Sequence, residues 1–359
     1  MRTLLALTLY TLRAVGQATQ GPVVNTTSGR FIGVENDGGV HAVTSRGACR
    51  VNVSISHVVQ GHRMSSIGVA IRCFSGTYHD IQRFGEAPVG DLRWSTPQAS
   101  FSNQTQNATF FAPSCIQQFA FATQEFITDL FNNPPVPESE DCLFLNVWAP
   151  TTYSGNTLKP VVVWVYGGSL AFGTSSFPLY DGTSFAKNQD IVVVSFNYRT
   201  NIFGFPQSPD LALLNLGFLD QELAFQWVQE NIKQFGGDKE RVTIMGESAG
   251  AESVSLAIAR HTPTDAPFRA GIMFSGASVS STPRYNFSAF NNFASAAGCT
   301  QATGSPARLQ CLKAIPTGSI RNFTNGPTSG SFGAIVDNVT MTTLCKVFEP
   351  TRRHARLSS

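Results

Sequence analysis

Ser248 stands between two glycines, in the stretch TIMGESAGAESV at residues 243–254. The pattern G-x-S-x-G holds a serine hydroxyl on a sharp turn when a strand runs into it and a helix leaves it. The apolar run RVTIM precedes the motif, and AESVSLAIAR, which can form a helix, follows it. This context predicts a nucleophile for acyl transfer at Ser248. The alternative is a glycine-rich turn with an incidental serine.

A second glycine-rich turn follows the apolar run at 161–166, and it contains Gly167, Gly168 and Ser169. Acyl transfer through a serine requires backbone N–H groups aimed at the negative oxygen of the tetrahedral intermediate. The residue after the nucleophile, Ala249, would supply one donor. A Gly-Gly pair after a strand is by itself more often a simple turn. Paired with the serine motif, it predicts an oxyanion hole.

A serine nucleophile needs a base that takes its proton, and only two histidines, His261 and His354, follow Ser248. His261 comes at the end of the helix that begins at the serine, and a helix rises about 1.5 Å per residue, so that end points away. His354 lies in the short basic stretch EPTRRHARLSS, with no strand before it to hold it. A catalytic histidine must be oriented by a carboxylate within hydrogen-bond reach of the serine. We therefore expect neither histidine to be the base.

The elements around these residues follow an α/β pattern. Short apolar, β-branched runs without alternation of polar residues are typical of strands covered on both faces; they occur at 161–166, 191–198, 241–245 and 270–276. A helical period runs through LDQELAFQWVQENIKQF and ends at Gly236-Gly237. Strand, helix, strand, helix, strand is the order of a doubly wound, mostly parallel sheet.

Composition excludes several classes of protein and partner. The chain has 359 residues, of which 42% are hydrophobic and 13% charged, and its net charge is +2. Such a chain is globular, and its charge does not favour nucleic acid. No run is long enough to span a membrane. Four histidines and two cysteines in residues 36–80 lack ligand spacing, so we expect no metal and no cofactor; they are His41, His57, His62, His79, Cys49 and Cys73.

The N-terminus and the sequons indicate secretion. Residues 1–18 combine an early arginine, an apolar run and a small-residue cleavage pattern, which predicts a signal peptide. Seven N-x-S/T sequons would make the chain a glycoprotein; they begin at Asn25, Asn52, Asn103, Asn107, Asn286, Asn322 and Asn338. The chain also has seven cysteines, and an oxidising compartment would make disulfides the default.

Six motifs in order resemble the type-B carboxylesterases and lipases, the family that includes the cholinesterases. They are FGEAPVGDLRW (84–94), SEDCLFLNVWAP (139–150), VWVYGGSLAFG (163–173), NYR (197–199), GFLDQELAFQWVQENIKQFGGD (217–238) and VTIMGESAG (242–250). GPVVNTTSGRFIGV at 21–34 is similar to the family's opening strands. The resemblance implies an α/β-hydrolase fold over 19–340, acting without a cofactor on a small-molecule or lipid ester. It gives no indication of the oligomeric state.

The resemblance also assigns roles. Ser248 matches the acylated nucleophile, and Gly168, Ser169 and Ala249 match the oxyanion donors, with Gly167 shaping the turn. Where this chain has Ser169 the family usually has a third glycine, so the side chain could narrow the acyl pocket or strain the turn. Glu247 matches an acidic residue that in some members influences the site electrostatically, although a structural role in the turn is at least as plausible.

The cysteines outside the off-pattern segments form two expected pairs. Cys115 and Cys142 match the partners of the family's N-terminal bridge. Cys299 and Cys311 are expected to close a second, shorter loop. The remaining cysteines, Cys49, Cys73 and Cys345, are expected to be unpaired or mispaired.

Two departures from the family bear on activity. Residues 36–80 interrupt the pattern like an insert, and 341–359 form an off-pattern tail. Family members are longer and place the triad acid and histidine well beyond residue 340, while Asp337 matches a structural aspartate. We therefore expect a partial domain, incomplete on its C-terminal side and inactive, that leaves 270–276 as an uncovered strand. The alternatives are a non-catalytic binding protein of the same fold and an inactive fragment.

Overall fold

The computed structural model describes residues 23–27, 29–32, 50–53, 69–72, 83–101, 105–107, 111–119, 124–150, 157–277 and 286–341. The predicted signal peptide, the three unassigned cysteines and His354 lie outside the described residues, as does most of the segment 36–80. None of the helices in the described ranges is long and apolar enough to cross a membrane.

Ten strands fall in the described ranges. They are β1 (Val23–Thr26), β2 (Gly29–Ile32), β3 (Arg50–Val53), β4 (Val69–Arg72), β5 (Thr105–Asn107), β6 (Leu145–Trp148), β7 (Lys159–Val165), β8 (Val192–Phe196), β9 (Gly237–Glu247) and β10 (Ala270–Phe274). Strands β3 and β4 pair antiparallel, and β1, β2 and β5 form a separate small sheet.

Helices connect the later strands and follow them. They are α1 (Gln124–Phe131), α2 (Thr183–Gln189), α3 (Asn201–Gly204), α4 (Leu216–Asn231), α5 (Ala249–Arg260), α6 (Ser288–Ala296), α7 (Pro306–Lys313) and α8 (Thr317–Thr324). Short 3₁₀ turns occupy 90–92, 178–180 and 232–235.

The central sheet has five strands in the order β10-β9-β7-β8-β6. Strands β10, β9, β7 and β8 run parallel, and β6 pairs antiparallel with β8 at one edge. Helix α2 connects β7 to β8, α4 lies between β8 and β9, and α5 connects β9 to β10. The prediction of an α/β fold with a mostly parallel sheet is confirmed. The antiparallel β6 was not predicted.

The apolar runs are not all buried to the same degree. All five residues of β8 are buried, as the absence of alternation predicts. Strand β10 is not buried on both faces as its apolar run alone predicts: Ile272, Met273 and Phe274 are 42%, 41% and 48% exposed, which agrees with the separate expectation of an uncovered strand at 270–276. Helix α5 covers one of its faces, where Gly271 packs against Ile258. Among the described residues no strand pairs beyond β10, so its outer edge is uncovered.

Helix α4 ends earlier than the helical period suggests. It stops at Asn231, a 3₁₀ turn continues to Phe235, and Gly236 takes the left-handed conformation (φ 77°) that closes it. The prediction that both glycines end the helix is wrong for Gly237, which is the first residue of β9. Its Cα lies so close to Ile232 and Val161 that an added Cβ would meet both side chains within 2.8 Å.

A second apolar cluster lies beside the sheet core. It joins α6, α7 and α8 to Trp94, whose ring packs edge-on against Phe290 with centroids 5.7 Å apart. A disulfide between Cys299 and Cys311 (S–S 2.00 Å) fastens α7 to the end of α6. A disulfide between Cys115 and Cys142 (S–S 2.02 Å) closes a loop with a sequence separation of 27. These are the two expected pairs.

Candidate active site

Ser248 occupies the turn between β9 and α5. Its backbone has φ 54° and ψ −122°, a conformation that residues with a Cβ rarely adopt. Strand and helix meet closely there, since a Cβ on Gly246 would overlap the backbone of Gly250. The Ser248 N–H donates to the carbonyl of Phe274 at 2.9 Å, which fixes the turn to β10. The strand-turn-helix geometry predicted from the motif is present.

The glycine-rich turn after β7 lies against this serine. A Cβ on Gly167 would stand 2.6 Å from the Glu247 carbonyl oxygen and 3.0 Å from Ser248 Cβ. The next three residues all have positive φ: 105° at Gly168, 57° at Ser169 and 58° at Leu170. The structure therefore brings together the residues that the sequence predicted for nucleophile and oxyanion hole.

Three backbone N–H groups face this junction without a competing acceptor. Among the described residues, neither Gly168 nor Ser169 donates its N–H to another group of the protein. Ala249 is the first residue of α5, where an N–H has no acceptor within the helix. The Ser248 hydroxyl likewise has no hydrogen bond to another described group. Unpaired donors beside a free serine hydroxyl are the arrangement that an oxyanion requires.

A pair of buried tyrosines fastens the loop to the end of β8. The Tyr198 hydroxyl donates to the Tyr166 carbonyl at 2.8 Å, and the Tyr166 hydroxyl donates to the Tyr198 carbonyl at 3.1 Å. Their rings stack with centroids 4.4 Å apart. Burial raises the pKa of both hydroxyls well above the usual range, so both remain donors. Arg199, the next residue, pairs with Asp220 at 2.7 Å in a fully buried ion pair.

A cavity of about 160 Å³ opens in front of Ser248. Aromatic side chains form one wall: Phe131, Phe172, Phe177 and Tyr180. Gly167 to Ser169, Glu247 and Ser248 form the opposite wall. Burial, followed by the nearby Glu247 carboxylate, raises the pKa of Tyr180 to about 12, so its hydroxyl stays neutral at physiological pH. The cavity therefore combines an aromatic lining with the polar groups of Ser169, Thr174, Glu247 and Ser248.

Comparison with known protein families matches residues 52–347 to the carboxylesterase family. The chain belongs to this family. Its mostly parallel sheet is accordingly that of the α/β-hydrolase fold.

Individual carboxylesterase relatives are similar over part of their length. The chain is 44% identical to cholinesterase of Mus musculus over 202 residues, which cover 55% of this chain and 32% of that protein. It is 42% identical to fumonisin B1 esterase of Sphingopyxis macrogoltabida over 181 residues, 48% of this chain and 32% of that one. With liver carboxylesterase 1 of Oryctolagus cuniculus it shares 38% over 236 residues, 64% and 41% of the two chains. The chain thus spans well under half the length of these relatives.

The position of His261 agrees with the expectation that it is not the base. Among the described residues it is the one histidine, and it caps the far end of α5. Its Nε2 lies 2.8 Å from Glu222 Oε2, and Arg260 donates to the same carboxylate. Asp337 has the structural role that the resemblance implies, since its carboxylate accepts the N–H groups of 339, 340 and 341.

Sequence reasoning missed the buried residues that hold the glycine-rich loop after β7 in place. NYR was noted as a family motif, but no role followed from it. The structure gives Tyr198 and Arg199 the contacts described above, and it places Asn201 at φ 45° beneath the oxyanion loop. A polar residue two positions after NYR carries no local pattern that would indicate this. Only the approach of β7 and β8 brings these groups together.

Proposed function

We propose that Ser248 is the nucleophile of a carboxylic ester hydrolase, and that the N–H groups of Gly168, Ser169 and Ala249 form its oxyanion hole. Family membership supports ester hydrolysis as the reaction class. The observation that carries the assignment is the set of unpaired N–H groups beside the strained serine, in a cavity that aromatic side chains help to line.

The proposed reaction proceeds in two steps. The Ser248 Oγ forms a bond to the ester carbonyl carbon while its proton passes to a base, and the carbonyl oxygen becomes negative and is held by the three N–H donors. Collapse of this intermediate breaks the bond to the alcohol oxygen, which leaves with a proton. Water then attacks the acyl-enzyme by the same route and releases the acid and the free serine. Gly167, which lacks a side chain, lets the loop after β7 approach Glu247 and Ser248 closely.

The most direct test is prolonged covalent labelling with an alkyl fluorophosphonate, which forms an oxyanion-like adduct with a serine nucleophile and reacts slowly where no base takes the serine proton. We expect the labelled peptide to contain Ser248 and labelling to disappear in Ser248→Ala. Ser255→Ala, a serine change on the same helix away from the cavity, is the matched control and should label as the wild type does. Labelling that persists in Ser248→Ala would refute the assignment.

The rate of hydrolysis tests whether a base operates at Ser248. Since the one described histidine is bound to Glu222, we expect the chain as given to hydrolyse p-nitrophenyl esters with only the residual acceleration of a site without a triad, on the order of 10³–10⁴ over water. Ordinary esterase turnover would show that a base operates at Ser248, and His354→Ala would then identify or exclude that histidine. A chain that binds an ester without any turnover would favour the non-catalytic alternative.

We further propose that the protein is exported. The two disulfides support this, because they persist in oxidising compartments and are rare in the cytosol. Expression in a eukaryotic secretory host should yield glycosylated protein in the medium with Cys115 joined to Cys142. Retention inside the cell, or non-reduced peptide mapping that joins Cys115 to another cysteine, would contradict the proposal.

A further inference from the structure

Asn201 lies beneath the oxyanion loop and is completely buried. Its backbone has φ 45°, in the left-handed region, where asparagine is tolerated better than other residues with a side chain. The positive φ turns its N–H toward the loop, and that N–H donates to the Leu170 carbonyl at 2.7 Å.

The side chain of Asn201 makes further contacts with the same loop. Its amide nitrogen donates to the carbonyl of Ala171 at 3.0 Å and to the carbonyl of Ile116 at 2.7 Å. The Phe203 N–H approaches its amide oxygen at 3.5 Å, which agrees with this orientation of the amide. One residue therefore holds two successive carbonyls of the loop and joins the loop to the segment at Ile116.

Other hydrogen bonds of the loop also engage its carbonyl groups. Tyr198 holds the carbonyl of Tyr166, and the N–H groups of Ala171 and Phe172 both donate to the Gly168 carbonyl. The carbonyls of Tyr166, Gly168, Leu170 and Ala171 are thus engaged from below or within the loop. The N–H groups of Gly168 and Ser169 are left pointing elsewhere, without an acceptor among the described residues.

We infer that Asn201 is a positioning residue: it fixes the carbonyls of Leu170 and Ala171 and thereby orients the free N–H donors of Gly168 and Ser169 toward Ser248. The effect of Asn201 on the reaction rests on the proposed function. The hydrogen bonds that join Asn201 to the loop do not depend on catalysis. Asn201 does not line the cavity and would not contact the substrate.

Asn201→Gly is the informative variant, because the chain should still fold. Glycine adopts positive φ without strain, so the N–H bond to Leu170 is retained. The two carbonyls that accept from the Asn201 side chain each keep another donor. The Ala171 carbonyl accepts the N–H of Gln118 at 2.9 Å, and the Ile116 carbonyl accepts the hydroxyl of Thr200 at 2.9 Å. Asn201→Asp is the second variant, since it keeps the shape but a carboxylate cannot donate to two carbonyls.

Asn215→Gly is the matched control. Asn215 is also a buried asparagine, and its amide donates to the Ile335 carbonyl at 2.7 Å and to the Thr340 hydroxyl at 2.8 Å. It ties down a different loop, away from the cavity. The control therefore reports the general effect of removing a buried amide without altering the oxyanion loop.

The experiment measures the alkyl fluorophosphonate reaction at Ser248 and the amide hydrogen exchange of residues 166–173 in the full chain. For both Asn201 variants we expect the maximal labelling rate to fall on the order of ten-fold, with the half-saturating probe concentration unchanged, since misaligned donors weaken transition-state stabilisation more than binding. Exchange at Ala171 and Phe172 should accelerate. Asn215→Gly should change neither measurement.

The outcomes separate the two proposals. A wild-type chain that never labels at Ser248 would refute the proposed function, while loop exchange would still decide whether Asn201 holds the loop. Wild-type labelling and exchange in both Asn201 variants would overturn the positioning role and leave the function standing. Equal slowing in Asn201→Gly and Asn215→Gly would also overturn it, because the effect would then be general loss of stability.

Discussion

Strands β7 and β10 flank β9 on opposite sides, and both are short apolar runs that pair parallel with it. Val161, Val163 and Val165 of β7 are fully buried, whereas Ile272, Met273 and Phe274 of β10 are about half exposed. The difference lies in the neighbours. β7 has strands on both sides, whereas among the described residues β10 has β9 on one side and α5 on one face. An apolar run therefore predicts a strand, while its burial depends on elements remote in sequence.

The proposed chemistry lies on the β7 side of β9. The loop after β7 and the turn after β9 meet at Gly167 and Gly250, whose missing side chains allow backbone to approach backbone. On the β10 side a groove of about 530 Å³ lies beside Phe268 and His261. A strand that is paired on both sides holds the loop after β7, which suits groups that must stay aligned during a reaction.

The largest contrast should come from placing a lysine in each strand. Val163→Lys would bury an unpaired ammonium at the sheet centre, and we expect the free energy of unfolding to fall by more than about 5 kcal/mol. Ile272→Lys reaches solvent and should change stability by less than about 0.5 kcal/mol, while reducing self-association through the exposed edge. Urea denaturation and sedimentation velocity measure both effects. Similar losses at the two sites would mean that β10 is covered in solution.

Close packing at the serine turn should give the next largest effect. A Cβ in Gly250→Ala would overlap the Val165 carbonyl oxygen and stand 2.8 Å from that of Tyr166. Backbone atoms cannot move aside cheaply, so we expect a loss of about 3–4 kcal/mol and slower labelling of Ser248. Gly318→Ala in α8 is the control, since its Cβ would meet nothing within 4 Å. It should be neutral or stabilise by up to about 1 kcal/mol.

The sequence predicts the β7 side of the molecule better than the β10 side, for a physical reason. The serine turn is predictable because its geometry depends on glycines within a few residues of Ser248. The exposure of β10 is expected from the family resemblance, not from the local pattern, and sheet order and the antiparallel β6 depend on contacts between distant segments. Asn201 belongs to this second class, because its contacts with Ile116 and Ala171 exist only after β7 and β8 pair.

Ser169→Gly tests the one residue of the oxyanion loop that departs from the family pattern. A side chain at φ 57° destabilises the folded state by roughly 1–2 kcal/mol, and glycine removes this cost. Glycine also destabilises by about 0.5–1 kcal/mol, because it increases the conformational entropy of the unfolded chain. We therefore expect a net stabilisation of about 0.5–1 kcal/mol by thermal denaturation. Ser184→Gly, in ordinary helical backbone on α2, should destabilise by a similar amount. The same sign at both positions would show that the loop carries no strain at Ser169.

The smallest expected effect concerns Glu252, in the first turn of α5 beside the serine turn. A helix N-terminus favours a carboxylate, but here burial prevails and raises the pKa of Glu252 above the ordinary 4.5. A folded-state pKa above the unfolded value means that stability is highest below pH 4.5 and is lost as the pH rises through the folded pKa. Glu252→Gln, which keeps the shape without the charge, should therefore raise the free energy of unfolding at pH 7. The advantage should disappear below about pH 4, where the carboxyl is protonated in both states. Urea denaturation of both proteins between pH 3.5 and 8, conditions chosen to span that window, measures the difference. If the stability advantage of Glu252→Gln instead grows toward acid pH, the ionised carboxylate stabilises the fold. The serine end of α5 would then be less closely covered than its contacts with β7 indicate.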